Sequence, residues 1–339
     1  MSRSEVTDLV RPKRSLPGQI LRAGLFFRRP VARLIWILVL AGLLLRLTIR
    51  DARHPWALIY YLTPIPALPI WVAIAGLLWR EKPSPTRSPA QFSGSRLHGA
   101  AVTLFVLWTI ATEYETHAPL QRTDAHRIVF WNTARVPLGV HRVARQIRDW
   151  DPVAIGLVEA NTFFPRTLAQ WRHELPDYQI ATTHFGGMLA VKGTIKNQVC
   201  HALLPTSWCE QFDVNVDGKD FTVLLVDISA TLILTRRQPL QDLADLSKKL
   251  ADRPLVIMGD FNTPDDSILM DPLRAHCQLA FRERGSGYAA TWPMPLPVLT
   301  LDQVWVNSRV TVAKSEYGWS LDSDHRPAIC HLSLDAPNR

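Results

Sequence analysis

Cysteine is scarce in this 339-residue chain. Cys200, Cys209, Cys277 and Cys330 are the complete set, and no pair has zinc-finger spacing, which excludes that kind of metal module. An even number still allows disulfides in a domain outside the cytoplasm, and Cys200 and Cys209 are near enough in sequence to close a loop. Four free buried thiols are the alternative. No internal repeat is visible, which removes solenoids and propellers. Positive charge is missing where a non-specific nucleic-acid binder would need it. Residues 113–339 hold 23 basic and 26 acidic side chains, a net of −3. That excludes a bulk positive field on this part, though not a local basic patch. The basic excess lies earlier, with 8 basic against 2 acidic residues in 1–33 and 7 against 2 in 34–112. Acidic residues are absent from the middle of every long apolar run, which argues against a transporter or channel.

Three such runs are present. "VARLIWILVLAGLLLRLTI" covers 31–49, "WALIYYLTPIPALPIWVAIAGLLW" covers 56–79 without one charge, and "LHGAAVTLFVLWTIAT" covers 97–112. A spanning helix needs about 20 mostly apolar residues, so about three transmembrane helices are expected over 31–112. A single signal peptide would be shorter and would not repeat. Pro64, Pro66 and Pro69 predict a kinked or broken second helix. Arg33 and Arg46 are expected to snorkel toward headgroups. Residues 1–30 form a basic tail, and the loop over 80–96 carries four basic residues. Both are therefore expected in the cytoplasm. Three spans then place everything after Glu113 on the other side, which implies a multi-pass protein of the inner (cell) membrane with an extracytoplasmic C-terminal domain.

Residues 113–126 read as a polar connector. Beyond them, apolar runs of strand length alternate with amphipathic helical patterns: "RIVFWNTA", "VHRVARQIRDW", "DPVAIGLVEAN", "PRTLAQWRHEL". "FDVNVDGKDFTVLLVDIS" reads as a hairpin around "VDGKD", and "RQPLQDLADLSKKLADR" as a helix leading into "PLVIMGDFNTPDDS". This mixture predicts a layered α/β domain with mixed sheets over 127–335.

Polar groups sit at the ends of these apolar strands: Asn132, Glu159, Asp260 with Asn262, and Asp324-His325, with Asp302 opening "LDQVWV". Strand ends on one rim converge, and residues two apart face the same side, so Asp260 and Asn262 can act together. The set suits phosphoryl chemistry. Carboxylates hold a hard divalent cation such as Mg²⁺ or Mn²⁺, which polarises a phosphate and offsets its charge. Asn side chains donate to phosphate oxygens, and an Asp fixes a His and favours its charged form. Each group also has a bland reading. Asn132 fits a turn, Glu159 a salt bridge to Arg, Asp260 and Asn262 an Asx turn before a helix capped by Thr263 or Asp265, and 324–327 a charged turn.

In this order, "FWNTA", "GLVEAN", "MGDFNTP", "LDQVWVN" and "SDHRPAICHL" resemble the motifs of the endonuclease/exonuclease/phosphatase (DNase I-like) superfamily. The membrane-anchored layout is similar to its bacterial members with N-terminal spans. The resemblance covers about residues 127–334. It implies a four-layer α/β sandwich, two packed mixed β-sheets flanked by helices, preceded here by transmembrane helices. It implies Glu159 as the main metal ligand, with Asn132 helping to position the metal or phosphate and Asp324 supporting the metal or the nucleophile. Asp260 would orient or deprotonate the attacking water, and Asn262 would hold the phosphate. Asp302 would orient His325 at the phosphoryl group. The substrate would be a phosphate ester in a nucleic acid, a phospholipid headgroup or a small organophosphate.

The chain departs from that pattern at two places. A further His is expected in the strand "TVLLVDISATL", where Ser229 or Asp227 stands instead. Ala134 also replaces an expected second amide or carboxylate. His184 or His201 could supply the missing imidazole. The loss also motivates a second expectation, a non-catalytic member acting as a binding or scaffold module.

Overall fold

The structure, a computed structural model, describes residues 16–79, 93–231 and 233–334, with side chains from residue 27 onward. Half of the basic tail, and residues 80–92 of the basic loop, lie outside the described residues. The N-terminal region begins with α1 (Leu16–Leu47), within which Phe27–Leu47 is long and apolar enough to cross a membrane. It is the one such helix among the described residues. The second apolar run breaks where its prolines fall, into α2 (Ala57–Leu62), a 3-10 turn (Ile65–Ala67) and α3 (Leu68–Trp79). Proline has no N–H to donate and is best tolerated in a first turn, which is where Pro66 and Pro69 fall as the helix restarts. Ile65–Trp79 is apolar but shorter than a full span. The third run lies within α4 (Ser93–Glu113), and Val39, Leu68, Val72 and Phe105 join α1, α3 and α4 in one apolar centre.

The rest of the chain folds into two sheets. The first contains β1 (Tyr114–Thr116), β2 (His126–Asn132), β3 (Ala154–Val158), β4 (Gln179–Thr182), β5 (Met188–Val191), and later β11 (Gly285–Tyr288), β13 (Thr311–Tyr317) and β14 (Ala328–Ser333). Its order is β1-β11-β13-β14-β2-β3-β5-β4. The second contains β6 (Thr194–Leu203), β7 (Ser207–Val216), β8 (Lys219–Asp227), β9 (Leu255–Asp260), β10 (Cys277–Leu279) and β12 (Asp302–Asn307), in the order β10-β12-β9-β8-β7-β6. Both are mixed, since β2–β3 and β8–β9 are parallel while most other pairs are antiparallel. The connector is not wholly irregular: its residues 114–116 supply the edge strand β1, paired with β11.

The central strands read as unbroken apolar runs because both of their faces are covered. In β8 and β9, Val223, Leu225, Val256 and Met258 face the first sheet. Leu224, Val226, Leu255 and Ile257 alternate outward onto α7 (Arg237–Lys249) and α8 (Asp271–Arg274). Likewise Phe130 faces inward, while Trp131, Ile155 and Leu157 pack under α5 (Val140–Trp150) and α6 (Pro165–Glu174). The result is the expected four-layer sandwich. Gly156 marks a close approach of the sheets, for a Cβ there would lie 2.5 Å from Met258 Sδ. All four cysteines are free; Cys200 faces Glu210, and Cys209 faces His201, across β6 and β7.

The N-terminal helices dock on the domain through the segment just after the "GDFN" strand. Arg46 is not turned to solvent: it bonds Asp266 at 2.5 Å and lies 4.1 Å over the Tyr60 ring. Asp51 accepts from Ser267 Oγ and Ile268 N. The helix after "GDFN" is capped by Ser267, whose hydroxyl accepts from Leu269 N, rather than by Thr263 or Asp265.

Candidate active site

Strand register brings the polar groups together. β8 and β9 run parallel with Asp227 beside Asp260, and β12 runs antiparallel with Asp302 beside Asp260 on the other side. Three carboxylates thus stand abreast on neighbouring strands, where side chains share a face. Gly259 makes this possible, because a Cβ there would sit 2.3 Å from the Val226 carbonyl oxygen. From the facing sheet come Asn132 at the end of β2 and Glu159 just past β3. The segment before β14 brings Asp324 and His325.

The contacts run in a continuous line. Asn132 Nδ2 donates to Glu159 Oε1 at 3.2 Å and to Asp260 Oδ2 at 2.9 Å. His325 Nε2 is 3.9 Å from the same Asp260 oxygen, and Nδ1 is 2.8 Å from Asp302 Oδ2. Asp324 Oδ1 is 4.0 Å from His325 Nε2, while its Oδ2 accepts from Trp292 Nε1. Ser323 Oγ donates to the Asn132 carbonyl and accepts from His325 N, tying this segment to β2.

The bland readings also hold locally. Asp260 Oδ1 accepts from Asn262 N, and Asn132 Oδ1 accepts from Ala134 N, so both form Asx turns. Each turn leaves one polar atom aimed at the cluster. Glu159 pairs with Arg135 at 3.4 Å, as an Arg salt bridge would. Glu159 and Asn262 hold left-handed backbone, φ +49° and +46°, at a cost on the order of 1 kcal/mol each for a non-glycine residue.

Electrostatics sharpen the roles. Burial opposes a charged His325, but the Asp302 carboxylate overrides it and lifts the imidazole to about 10, so it is an imidazolium at neutral pH. Burial, then the neighbouring Asp302 charge, pushes Asp260 well above the usual carboxylate range. Burial, then Asp260 and Glu159, pushes Asp227 up to about 8. Carboxyls this crowded fit a site that takes up positive charge, and their oxygens form the hard donor set that Mg²⁺ or Mn²⁺ prefers. The Asn132 Nδ2–H donates to two of them and its Oδ1 accepts from Ala134 N in the turn, so that amide orients the carboxylates rather than binding an ion. Asp260, Asp302 and His325 also stand close enough to hold an ion. Between those two carboxylates, however, the imidazolium already supplies the positive charge.

Of the seven residues singled out from sequence, six join this line. Asn262 is the exception: its amide nitrogen donates to the Ile228 carbonyl at 2.8 Å, stitching the end of β9 to β8. Ser229 does not occupy the place of the expected imidazole. Its hydroxyl bonds Thr231 Oγ1, whereas Asp227 stands at the rim. His184 pairs with Glu210 and His201 with Gln211, so neither fills the gap. Asp227 carried the same signal as the others, an apolar strand ending in a carboxylate. A cleft of about 310 Å³ lined by Arg135, Glu159, Phe163 and Asp227 opens beside the cluster. A larger cavity of about 740 Å³ lies between the helices and the domain, where Arg46 pairs with Asp266 and Arg282 with Asp265.

Solved structures share this fold. An endonuclease/exonuclease/phosphatase from Bacteroides vulgatus matches with TM-score 0.54 and 17% identity, over 62% of this chain and 99% of that one. The mannosyl-6-phosphatase Bt3783 of Bacteroides thetaiotaomicron matches at 0.53 and 14%, over 61% and 99%. A humanized D. rerio TDP2 matches at 0.52 and 14%, over 62% and 99%. No curated protein sequence matches the chain. The sequence itself matches the Endonuclease/Exonuclease/phosphatase family over residues 129–325, which include all of the second sheet, most of the first and every residue of the cluster, and the chain belongs to that family.

Proposed function

We propose that this protein is a divalent-metal-dependent phosphoesterase, held at the cell membrane by its N-terminal helices with its catalytic domain outside the cytoplasm. The observation that carries the chemistry is the unbroken line Glu159–Asn132–Asp260–His325–Asp302. The anchor is supported by Phe27–Leu47, and the orientation by the basic tail and loop. A phosphate-ester substrate is in keeping with a structural neighbour that is a sugar phosphatase and with a D. rerio TDP2 complexed with a single-stranded DNA product.

The Glu159 carboxylate, oriented by the Asn132 Nδ2–H, would hold the cation, with Asp324 at the edge of the same space. When bound, it supplies charge that polarises the phosphoryl oxygens. His325, kept protonated by Asp302, turns Nε2 toward that space and donates to a phosphoryl oxygen. Asp260, with its proton affinity raised by burial and by Asp302, accepts the proton of an attacking water. Asp227, whose carboxyl burial pushes up to about 8, can in its protonated form donate a hydrogen bond where a family imidazole would. Asn262 acts here as a positioning residue for the β8 and β9 ends. Turnover of bis(p-nitrophenyl) phosphate by the full chain in detergent, with and without Mg²⁺, tests this. Glu159→Gln and His325→Ala should each lose at least about 100-fold in kcat while remaining folded. Unchanged rates in both would favour the second reading, a binding module, which the replacement of an imidazole by Asp227 motivates.

A further inference from the structure

The two ends of the domain differ in surface. At the end away from the cluster, the turns at 217–218, 252–253 and 308–309 are exposed and polar. At the cluster end, large apolar side chains project from one loop after another. Phe163 and Phe164 follow Glu159, and Ile233, 79% exposed, follows Asp227. Leu296, 72% exposed, lies in the loop whose Met294 N and Trp292 Nε1 both bond Asp324. Trp319, also exposed, precedes His325. Leu204 tops the β6–β7 hairpin, whose Trp208 pairs with Asp227. Single exposed apolar residues need no explanation, but a collar of them around one site marks a surface that meets an apolar partner.

The collar adjoins the place where the helices attach. Leu234 shares a small cleft with Ala57, Leu58 and Tyr61. The Arg236 guanidinium lies 5.3 Å over Tyr61, and Arg237 Nη2 donates to the Ala52 carbonyl. Asp266, four residues past Asn262, holds Arg46 at the end of α1. The link between α1 and α2, with Trp56 half exposed, therefore lies beside the active-site loops. The net charge of −3 over residues 113–339 gives the domain no bulk positive field to draw in a long polyanion.

We propose that this collar seats on the bilayer that holds the helices, and that the substrate is a phosphate ester of a lipid in that leaflet. The substrate assignment rests on the phosphoesterase reading; the seat itself does not. In the reaction a water oxygen bonds to phosphorus and Asp260 takes its proton. As the lipid's ester P–O bond breaks, the leaving oxygen takes a proton from the His325 imidazolium, which the proton on Asp260, 3.9 Å away, then restores.

The test uses the full chain with Cys200→Ser, leaving three buried thiols, in phosphatidylcholine–phosphatidylglycerol nanodiscs. An environment-sensitive nitrobenzoxadiazole label is placed on Ile233→Cys, Leu296→Cys or Asp217→Cys. Labels at 233 and 296 should shift to the blue and be quenched by doxyl-labelled lipid, while the label at 217 should not. Equal behaviour at all three sites would overturn the seat. Separately, Ile233→Ser with Leu296→Ser should slow phospholipid hydrolysis in vesicles at least about tenfold and leave bis(p-nitrophenyl) phosphate turnover unchanged. Equal loss on both substrates, or wild-type hydrolysis of oligonucleotides but not phospholipids, would overturn the lipid assignment and leave the phosphoesterase standing. Quenching at 233 and 296 with no hydrolysis of any ester would overturn the phosphoesterase reading and leave the membrane seat.

Discussion

His325 and Asp302 form a buried ion pair, with Nδ1 2.8 Å from Oδ2 and side chains 8% and 0% exposed. The pair raises the imidazole from 6.5 to about 10. Its stabilising effect is therefore fully present below about pH 6.5 and is lost as pH rises through about 10. Asp302→Asn should remove the charge that keeps His325 protonated. The expected result is a fall in kcat of about 100-fold at pH 8 and an alkaline limb of the pH–rate profile displaced toward neutrality. A profile that keeps its alkaline limb would show that Asp302 does not set the charge on His325.

Metal binding should be visible without turnover. A cation held by Glu159, with Asn132 orienting its carboxylate, would bind the folded chain and not the unfolded one, so saturating Mg²⁺ should raise the thermal midpoint. At a hundredfold excess over Kd the gain is about 2.7 kcal/mol. Glu159→Gln should abolish most of that rise, measured by scanning fluorimetry in detergent. An equal rise in Glu159→Gln would place the ion elsewhere.

Much of the site was legible because its groups sit at or beside one end of an apolar strand, where a polar or ionisable residue needs a reason. The choice between Ser229 and Asp227 was not. It depends on the register of β8 against β9, which pairs residues more than 30 positions apart and leaves no local trace. The posture of Asn262 was hidden for the same reason, since its acceptor is the carbonyl of Ile228, one residue past the end of β8. Arg46 looked like a side chain bound for headgroups; its partner Asp266 is 220 residues away. The break in the second apolar run, by contrast, was readable from Pro64, Pro66 and Pro69, because proline acts through its own backbone.

Gly259→Ala should damage both stability and turnover. The added Cβ would meet the Val226 carbonyl at 2.3 Å, and that carbonyl belongs to the adjoining strand. Relief requires β8 and β9 to part, which also separates Asp227 from Asp260. A loss of about 1–3 kcal/mol in stability is expected, with a kcat loss larger than the change in KM. Gly218→Ala serves as the comparison. It has open space around its Cβ but a φ of +79°, so it should cost stability through backbone strain and leave kcat unchanged.

Asp227→Asn should stabilise the fold while exposing what the carboxyl does. The group moves from 3.8 to about 8 on folding, chiefly through burial and then through repulsion from Asp260 and Glu159. The folded chain therefore holds this proton more tightly than the unfolded chain. The penalty is absent below about pH 3.8, grows as pH rises, and is complete above about pH 8. An amide of the same shape carries no such penalty, so the thermal midpoint of Asp227→Asn should exceed that of the wild type by more at pH 8.5 than at pH 5. If a neutral donor is what catalysis needs at this position, the amide retains turnover to within about threefold at pH 7 and holds it to higher pH than the wild type. Asp227→Ala, which can donate nothing, loses at least about tenfold at both pH values. Equal activity in the alanine and asparagine variants would show that Asp227 has no hydrogen bond to give to the reaction.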